Sequence, residues 1–390
     1  MNRLFLKVCT LLLALITIIA CGNNTAQTGV DSGSDDPQSV LKSSSKSGNA
    51  KKAKKAKKKK SILVPRSAGS PYEVLLVAAE DDFHNGVVDS LYSVLTEDVV
   101  GILQPEPSFK VSRITQNNLS KTLRLCRNIV VVKIDPKTYS KCKFKYSRDV
   151  YAAPQIIMTI QAPDARKCKN FILDNRKAIV DFFTRAELNR QIEQLRDDNQ
   201  PQIREKVMQM FGCEISAPLE LNKIKTGRDF IWARCERFVK RVEQHLNLVV
   251  YSYPYRDTRT FTEEYFVRKR DSVMKANIPG PHEGQYMMTT KRSTIISEET
   301  VHGKYAQVVR GLWNMREYDM GGSFVSVSRV DEKYQRVIVA EGFIYYPNHA
   351  KRDYLRLLEA ALYTLRLPDE LDSGTFKYDL DDVLITPDED

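Results

Sequence analysis

Apolar positions along this chain come in two textures, short continuous runs and longer stretches with helical spacing. Leu11 to Ala20 is apolar or small throughout, too short for a membrane span, which needs about 20 such residues. A polar stretch follows up to residue 70. From Pro71 the pattern becomes that of a folded protein. Tyr72 to Ala79 is a nearly unbroken apolar run, as expected of a central strand. Val87, Val88, Leu91, Val94, Leu95 and Val99 recur at helical spacing, Phe109 to Ile114 alternates, and Asn128 to Ile134 and Gln155 to Gln161 read as further strands. Pro163 is placed to start a helix, and Phe171, Ile179, Phe182, Phe183, Leu188, Ile192 and Leu195 give it one long apolar face. Pro201 restarts a helix that ends at Gly212. Beyond this point strands dominate, at Phe230 to Cys235, Leu248 to Tyr253 and Tyr286 to Ile296. A helix is predicted from Phe261 to Lys275. Tyr305 to Trp313, Phe324 to Val330 and Tyr334 to Tyr346 form an antiparallel meander with a turn at Asp331-Glu332-Lys333. A last helix after Pro347-Asn348, with Tyr354, Leu358, Ala361, Leu362 and Leu365 on one face, covers the meander. The fold class is α+β, with mixed or antiparallel sheets, helices packed on one side, and two halves of similar size (71–215 and 216–368) in one globule.

The front of the chain carries its strongest signal. Arg3 and Lys7 precede the apolar run, as in a secretory signal. The run ends in Ile18-Ile19-Ala20-Cys21, which resembles the lipobox of bacterial lipoproteins. That resemblance implies removal of residues 1–20 and acylation of Cys21, giving a membrane anchor through the N-terminal lipid (diacylglycerol and palmitate). Several acyl chains hold far more firmly than one. Gly22, Asn23 and Asn24 follow, with no acidic residue before Asp31, so the expected place is the outer membrane, facing the periplasm.

Charge sharpens the domain picture. The 390 residues carry a net +11. Residues 22–70 hold eleven Lys and Arg against three Asp, mostly in the run Lys51 to Lys60. Such a stretch cannot bury enough apolar surface to fold, so residues 21–70 are expected to be a disordered linker behind the lipidated cysteine. Residues 369–390 hold nine acids against Lys377 and are expected to be a disordered acidic tail. A lysine run can signal nucleic acid, but a secretory signal excludes that partner. Anionic envelope phosphates or carboxylates are the alternative to a plain solvated spacer. Of seven cysteines, Cys126, Cys142, Cys168, Cys213 and Cys235 remain after processing. They show no Cys-x-x-Cys spacing; either Cys126 and Cys142 bridge or the thiols are small buried groups.

Candidate chemistry is sparse. Glu80, Asp82 and His84 follow the first strand and could hold a metal or simply charge a helix start. Ser140-x-x-Lys143 and Lys225-Thr226-Gly227 match fragments of a penicillin-binding acyl-serine site. The serine does not open a helix, and no Ser-x-Asn stands between the fragments. The most informative pair is in the meander. Alternation puts Arg310 on a face with Val308 and Leu312, and Glu341 on a face with Val337, Val339 and Phe343. Unpaired buried charges are costly, so the two are expected to pair or to line a cleft, with Trp313, Gly321 and Gly322 near by. The glycines form either a loop that approaches a ligand or a bulge.

With these residues in view, the chain resembles a family of lipoproteins from the Bacteroides group, domain-of-unknown-function family 4837, over roughly Pro71 to Pro368. The resemblance rests on Leu103-Gln104-Pro105-Glu106-Pro107, Arg127-Asn128-Ile129, Ala153-Pro154-Gln155, Phe230 with Trp232, Arg270-Asp271, Ile278-Pro279-Gly280, Arg310-Gly311-Leu312-Trp313, Gly321-Gly322-Ser323-Phe324, and Glu341-Gly342-Phe343 with Lys351-Arg352. It implies a lipid-anchored envelope protein and supplies no catalytic residue and no cofactor. The expected function is a non-enzymatic binding or accessory module for an envelope protein or an anionic polymer. The alternative is a hydrolase or transferase acting on an envelope polymer such as peptidoglycan, with Glu341, Glu80 and Asp82 as its carboxylates.

Overall fold

The computed structural model describes residues 64–383. The signal segment, Cys21, the whole lysine run and the end of the acidic tail lie outside the described residues. No helix among the described residues is long and apolar enough to cross a membrane.

The first half builds a five-stranded sheet. Its elements are β1 (Glu73–Ala78), α1 (Val87–Leu95), β2 (Lys110–Thr115), β3 (Asn128–Ile134), β4 (Lys143–Arg148), β5 (Ile156–Ala162), α2 (Ala165–Asp174) and α3 (Arg176–Asp197). The strand order is β2-β1-β3-β5-β4, parallel except where β4 meets β5. The continuous apolar runs are the inner strands of a parallel sheet, buried on both faces. Val74, Leu76, Val130, Met158 and Ile160 pack under all three helices. Leu75, Val77 and Ile129 face the other way, against Leu119, Leu123 and Cys126. The single long helix expected after Pro163 is broken at Asn175, whose side chain donates to the Phe171 carbonyl at 2.8 Å.

The second half is an antiparallel sheet with helices on both faces. It comprises α4 (Pro201–Phe211), β6 (Lys223–Gly227), β7 (Phe230–Val239), β8 (Val242–Pro254), α5 (Glu263–Asn277), β9 (Met287–Thr289), β10 (Ile295–Val301), β11 (Lys304–Met315), β12 (Tyr318–Asp331), β13 (Arg336–Tyr345) and α6 (Arg352–Tyr363). The order is β10-β11-β12-β13-β8-β7-β6, with β9 also on β11. α4 and α6 cover one face, with Val308, Val325, Val327, Ile338 and Ala340 beneath them. α5 covers the other, over Val249, Tyr251, Val309, Phe324 and Val339. The expectation of helices on one side holds for the first sheet and not for the second. The middle strands β8, β12 and β13 are buried at consecutive positions, hence on both faces, and each apolar face needs its own cover.

Three joints bind the halves. α3 is shared: Ile179, Phe182, Phe183 and Ala186 belong to the first core, whereas Leu188, Ile192 and Leu195 belong to the second. The division therefore falls within α3 rather than at residue 215. The second joint joins two of the quoted motifs. Glu106, buried, accepts the Lys351 N–H at 2.7 and 2.9 Å and the Arg352 N–H at 2.8 Å, and so caps the start of α6 with a charge that suits the helix dipole. Lys351 Nζ donates to Gln104 Oε1 at 2.8 Å. Glu106→Ala is expected to cost about 1–2 kcal/mol, read as a lower urea midpoint with unchanged slope.

The third joint corrects the reading of the tail. Residues 369–383 are docked. Glu370 pairs with Arg329, of which only 1% is exposed, and Tyr378 and Leu380 are buried, one in each core. The acidic composition concealed this because a few buried anchors outweigh many exposed charges. The folded chain also begins before Pro71, since Arg66 and Ala68 bridge to Ala153 and Cys126.

Candidate functional site

Sheet register decides the fate of Arg310 and Glu341. In an antiparallel ladder, directly opposed residues share a face. Arg310 is opposite Val325, which is opposite Gly342, whereas Glu341 is opposite Ser326, which is opposite Val309. The two charges therefore point to opposite faces of one sheet and cannot pair. The face assignments from alternation were right; the pairing was not.

Each charge meets a partner on the helix that covers its face. α5 buries Phe266, Arg270 and Met274, an i, i+4, i+8 stripe with an arginine at its centre. Arg270 Nε donates to both Glu341 oxygens at 3.1 and 2.9 Å, and Nη2 donates to Oε1 at 2.7 Å. Nη1 donates to Thr289 Oγ1 at 2.9 Å, and the guanidinium lies 4.1 Å from the Phe324 ring centre. Neither side chain is exposed. Burial raises the Glu341 carboxyl above its ordinary range, with Arg270 opposing. This is a structural pair.

Trp313 lies on the same face, edge-on to Phe343, and its indole N–H donates to the Ile344 carbonyl at 3.3 Å. Gly322 makes that contact possible. A Cβ there would sit 1.9 Å from the Ile344 oxygen and 3.1 Å from the indole nitrogen. Gly321 is opposite Asn314 in the same strand pair, next to the register shift at Asn314/Met315. The glycines thus serve packing beside a bulge and form no ligand loop.

On the opposite face α6 repeats the device with the signs exchanged. Leu355, Glu359 and Tyr363 are buried in a stripe, and Glu359 takes Arg310 on one oxygen and Arg356, at 3.1 Å, on the other. Burial raises the Glu359 carboxyl, but Arg310 and then Arg356 outweigh it and hold it below its usual range. Arg310 keeps 19% of its side chain exposed, because it forms the floor of a cleft of about 420 Å³. α3 supplies one wall with Arg176, Lys177, Asp181 and Arg185, and β10 supplies the other with Ile295, Ser297 and Glu299. Tyr363, Tyr378 and Glu97 to Val100 complete the lining. The backbone at Gly101 passes directly over Arg310: it has φ +86°, and a Cβ there would lie 2.9 Å from that of Arg310.

Glu299 is the least settled group in this cleft. It is half-buried and makes no ion pair among the described residues. Burial pushes its carboxyl up, partly opposed by Arg185 and Arg310. Arg185 lies over the Tyr378 ring, 5.0 Å from its centre. Of the expected site residues, only Arg310 lies in the cleft. Sequence reading missed Glu359 and Arg270 as their partners, although a charge in the middle of a helical apolar stripe was legible by the test applied to the strands.

The remaining candidates come apart. Asp82 is buried and accepts the Ala79 N–H at 3.3 Å and the Asn85 amide at 3.1 Å, while Glu80 and His84 are exposed. Among the described residues no group of three His, Cys, Asp or Glu could hold a metal. Cys126 and Cys142 are free, as are the other described thiols, and lie in clusters on opposite faces of the first sheet. Burial pushes the Cys168 and Cys213 thiols up to about 12. Arg127 and Asn128 make a further structural node, donating to the buried Glu187 at 2.8 and 2.6 Å.

Residues 200–364 match the family model described as Domain of unknown function (DUF4837). Residues 67–196 match a second, Domain of unknown function (DUF8532). The two meet just past the end of α3, the helix shared by both cores, so the motifs before Pro201 fall under the second description. No curated protein matches the chain.

Proposed function

We propose that this protein is a lipid-anchored, non-enzymatic binding module of the cell envelope, and that its partner engages the cleft floored by Arg310. The front of the chain supports the location: a short apolar run ending in Ile18-Ile19-Ala20-Cys21, as in lipoproteins, here of the Bacteroides group that the motifs resemble. The absence of an acidic residue beside Cys21 favours the outer membrane, facing the periplasm. The lysine-rich segment suits anionic envelope polymers near that surface. The observation that carries the binding reading is the cleft itself. Its deepest charges are spent on one another, Arg310 and Arg356 on Glu359, while the cations of α3 line its wall. Such a site recognises by fixed electrostatic complementarity.

A photocrosslinking residue in place of the exposed Lys177 is expected to capture a discrete envelope partner in cells. The same group at Lys240, exposed in the β7–β8 turn, is expected to capture none. Equal labelling from both positions would remove the cleft as the binding site. In parallel, Cys21→Ser should move the protein from the membrane to the soluble fraction.

The reading as a hydrolase or transferase on an envelope polymer has one observation in its favour. Glu299 is pushed up and Glu359 held down in the same cleft, the divergence that general acid and base work employs. It predicts turnover of purified peptidoglycan that Glu299→Gln abolishes.

A further inference from the structure

The wall of the cleft formed by β10 has a second property: it is the free edge of the eight-stranded sheet. The β10–β11 hairpin closes through His302 and Gly303, both left-handed at φ 51° and 74°, a two-residue turn that makes Val301 and Lys304 a hydrogen-bonded pair. Antiparallel pairing then alternates. Val301, Glu299, Ser297 and Ile295 bond inward to β11, and the N–H and C=O groups of Ile296, Glu298 and Thr300 point outward. Among the described residues no strand lies beyond them.

Folded proteins usually blunt such an edge. The opposite edge, β6, is short and carries Lys223 and Lys225. β10 contains no lysine or proline and leaves Ile295 and Ile296 48% and 37% exposed. Cavities flank it on both faces at alternate positions. Ser297 and Glu299 line the cleft already described. Glu298 lines a second hollow of about 600 Å³ on the other face, with Tyr255, Phe261 and Tyr305.

We propose that β10 binds an extended peptide segment of an envelope protein, added as an extra strand. Main-chain bonds to Ile296, Glu298 and Thr300 supply affinity, and alternate side chains enter the two hollows. Aromatic or aliphatic side chains suit the Tyr255, Phe261 and Tyr305 hollow. On the cleft side acidic side chains suit positions beside Ser297 rather than Glu299, since the facing wall carries Arg176, Lys177 and Arg185 against Asp181. The inference rests on the binding-module reading and names its partner class.

The test is selection of random phage-displayed peptides on the whole chain. Enriched peptides should alternate aromatic with acidic residues, and on the unmodified protein they should slow exchange of the Ile296, Glu298 and Thr300 amides. Proline is tolerated where an edge N–H faces solvent, so Glu298→Pro should keep the melting temperature and lose about tenfold or more in peptide affinity. Failure to enrich any peptide would overturn the proposal, as would equal binding by Glu298→Pro or protection that misses the β10 edge. Should that variant fail to fold, the exchange pattern on the unmodified protein still decides. Dimers in sedimentation that Glu298→Pro dissolves would make a second copy the occupant and overturn the partner peptide. A partner crosslinked from position 177 with no peptide selected would leave the module standing and dismiss the edge.

Discussion

Ending the chain after Pro368 is expected to lower stability by at least about 4 kcal/mol. The truncation removes Glu370 and leaves the Arg329 guanidinium buried with only the Leu365 and Val301 carbonyls, at 3.1 and 3.0 Å, as acceptors. Removing one partner of a buried pair costs more than the pair was worth, because the remaining charge keeps its desolvation penalty. Leu380 and Tyr378 leave their cores as well, and Asn189 loses both of its bonds to the Tyr378 backbone, at 2.8 and 3.0 Å. Denaturant unfolding of the truncated and complete chains measures the difference. An unchanged midpoint would return residues 369–383 to the status of a loose tail.

Arg270→Met is expected to cost about 3–5 kcal/mol, seen as a fall in melting temperature and urea midpoint. It leaves Glu341 in the centre of an apolar face with none of its guanidinium bonds. Adding Glu341→Leu should recover much of the loss, because the penalty belongs to the orphaned charge and two apolar groups can pack in its place. The pH dependence follows from the same cause. Without Arg270 the main influence opposing burial at Glu341 is gone, so its folded-state pKa rises further above the unfolded value. An acid whose folded pKa is raised penalises folding above that pKa, and the penalty fades as pH falls through it. The stability gap between the Arg270→Met variant and the parent should therefore narrow as pH falls below neutrality. A gap that is constant or widens would mean that Glu341 is not the source of the loss. Arg310→Met should cost less, since Arg310 keeps contact with the cleft and Arg356 remains to hold Glu359.

Short-range pattern found β3 over its full length, the interruption at Pro201 and the meander, because strand and helix periods are properties of neighbouring residues. It missed β4, whose side chains alternate between solvent and a shallow contact. It also missed β9 and β10 as separate strands, since only pairing with β11 divides them.

Read alone, the sequence determined the α+β class, the reading of β1 as an inner strand, and the appearance of Arg310 and Glu341 on apolar strand faces. Each follows from local spacing. Tertiary structure decided which charges meet. Arg310 and Glu341 are 31 residues apart in one meander, yet register sends them to opposite faces, and their partners come from α6 and α5. It also decided that the acidic tail docks, because the value of Glu370, Tyr378 and Leu380 lies in Arg329, Asn189 and two cores assembled from distant segments. The cleft and the open β10 edge were equally out of reach, since a cavity and an unpaired strand are defined by what the rest of the chain leaves uncovered.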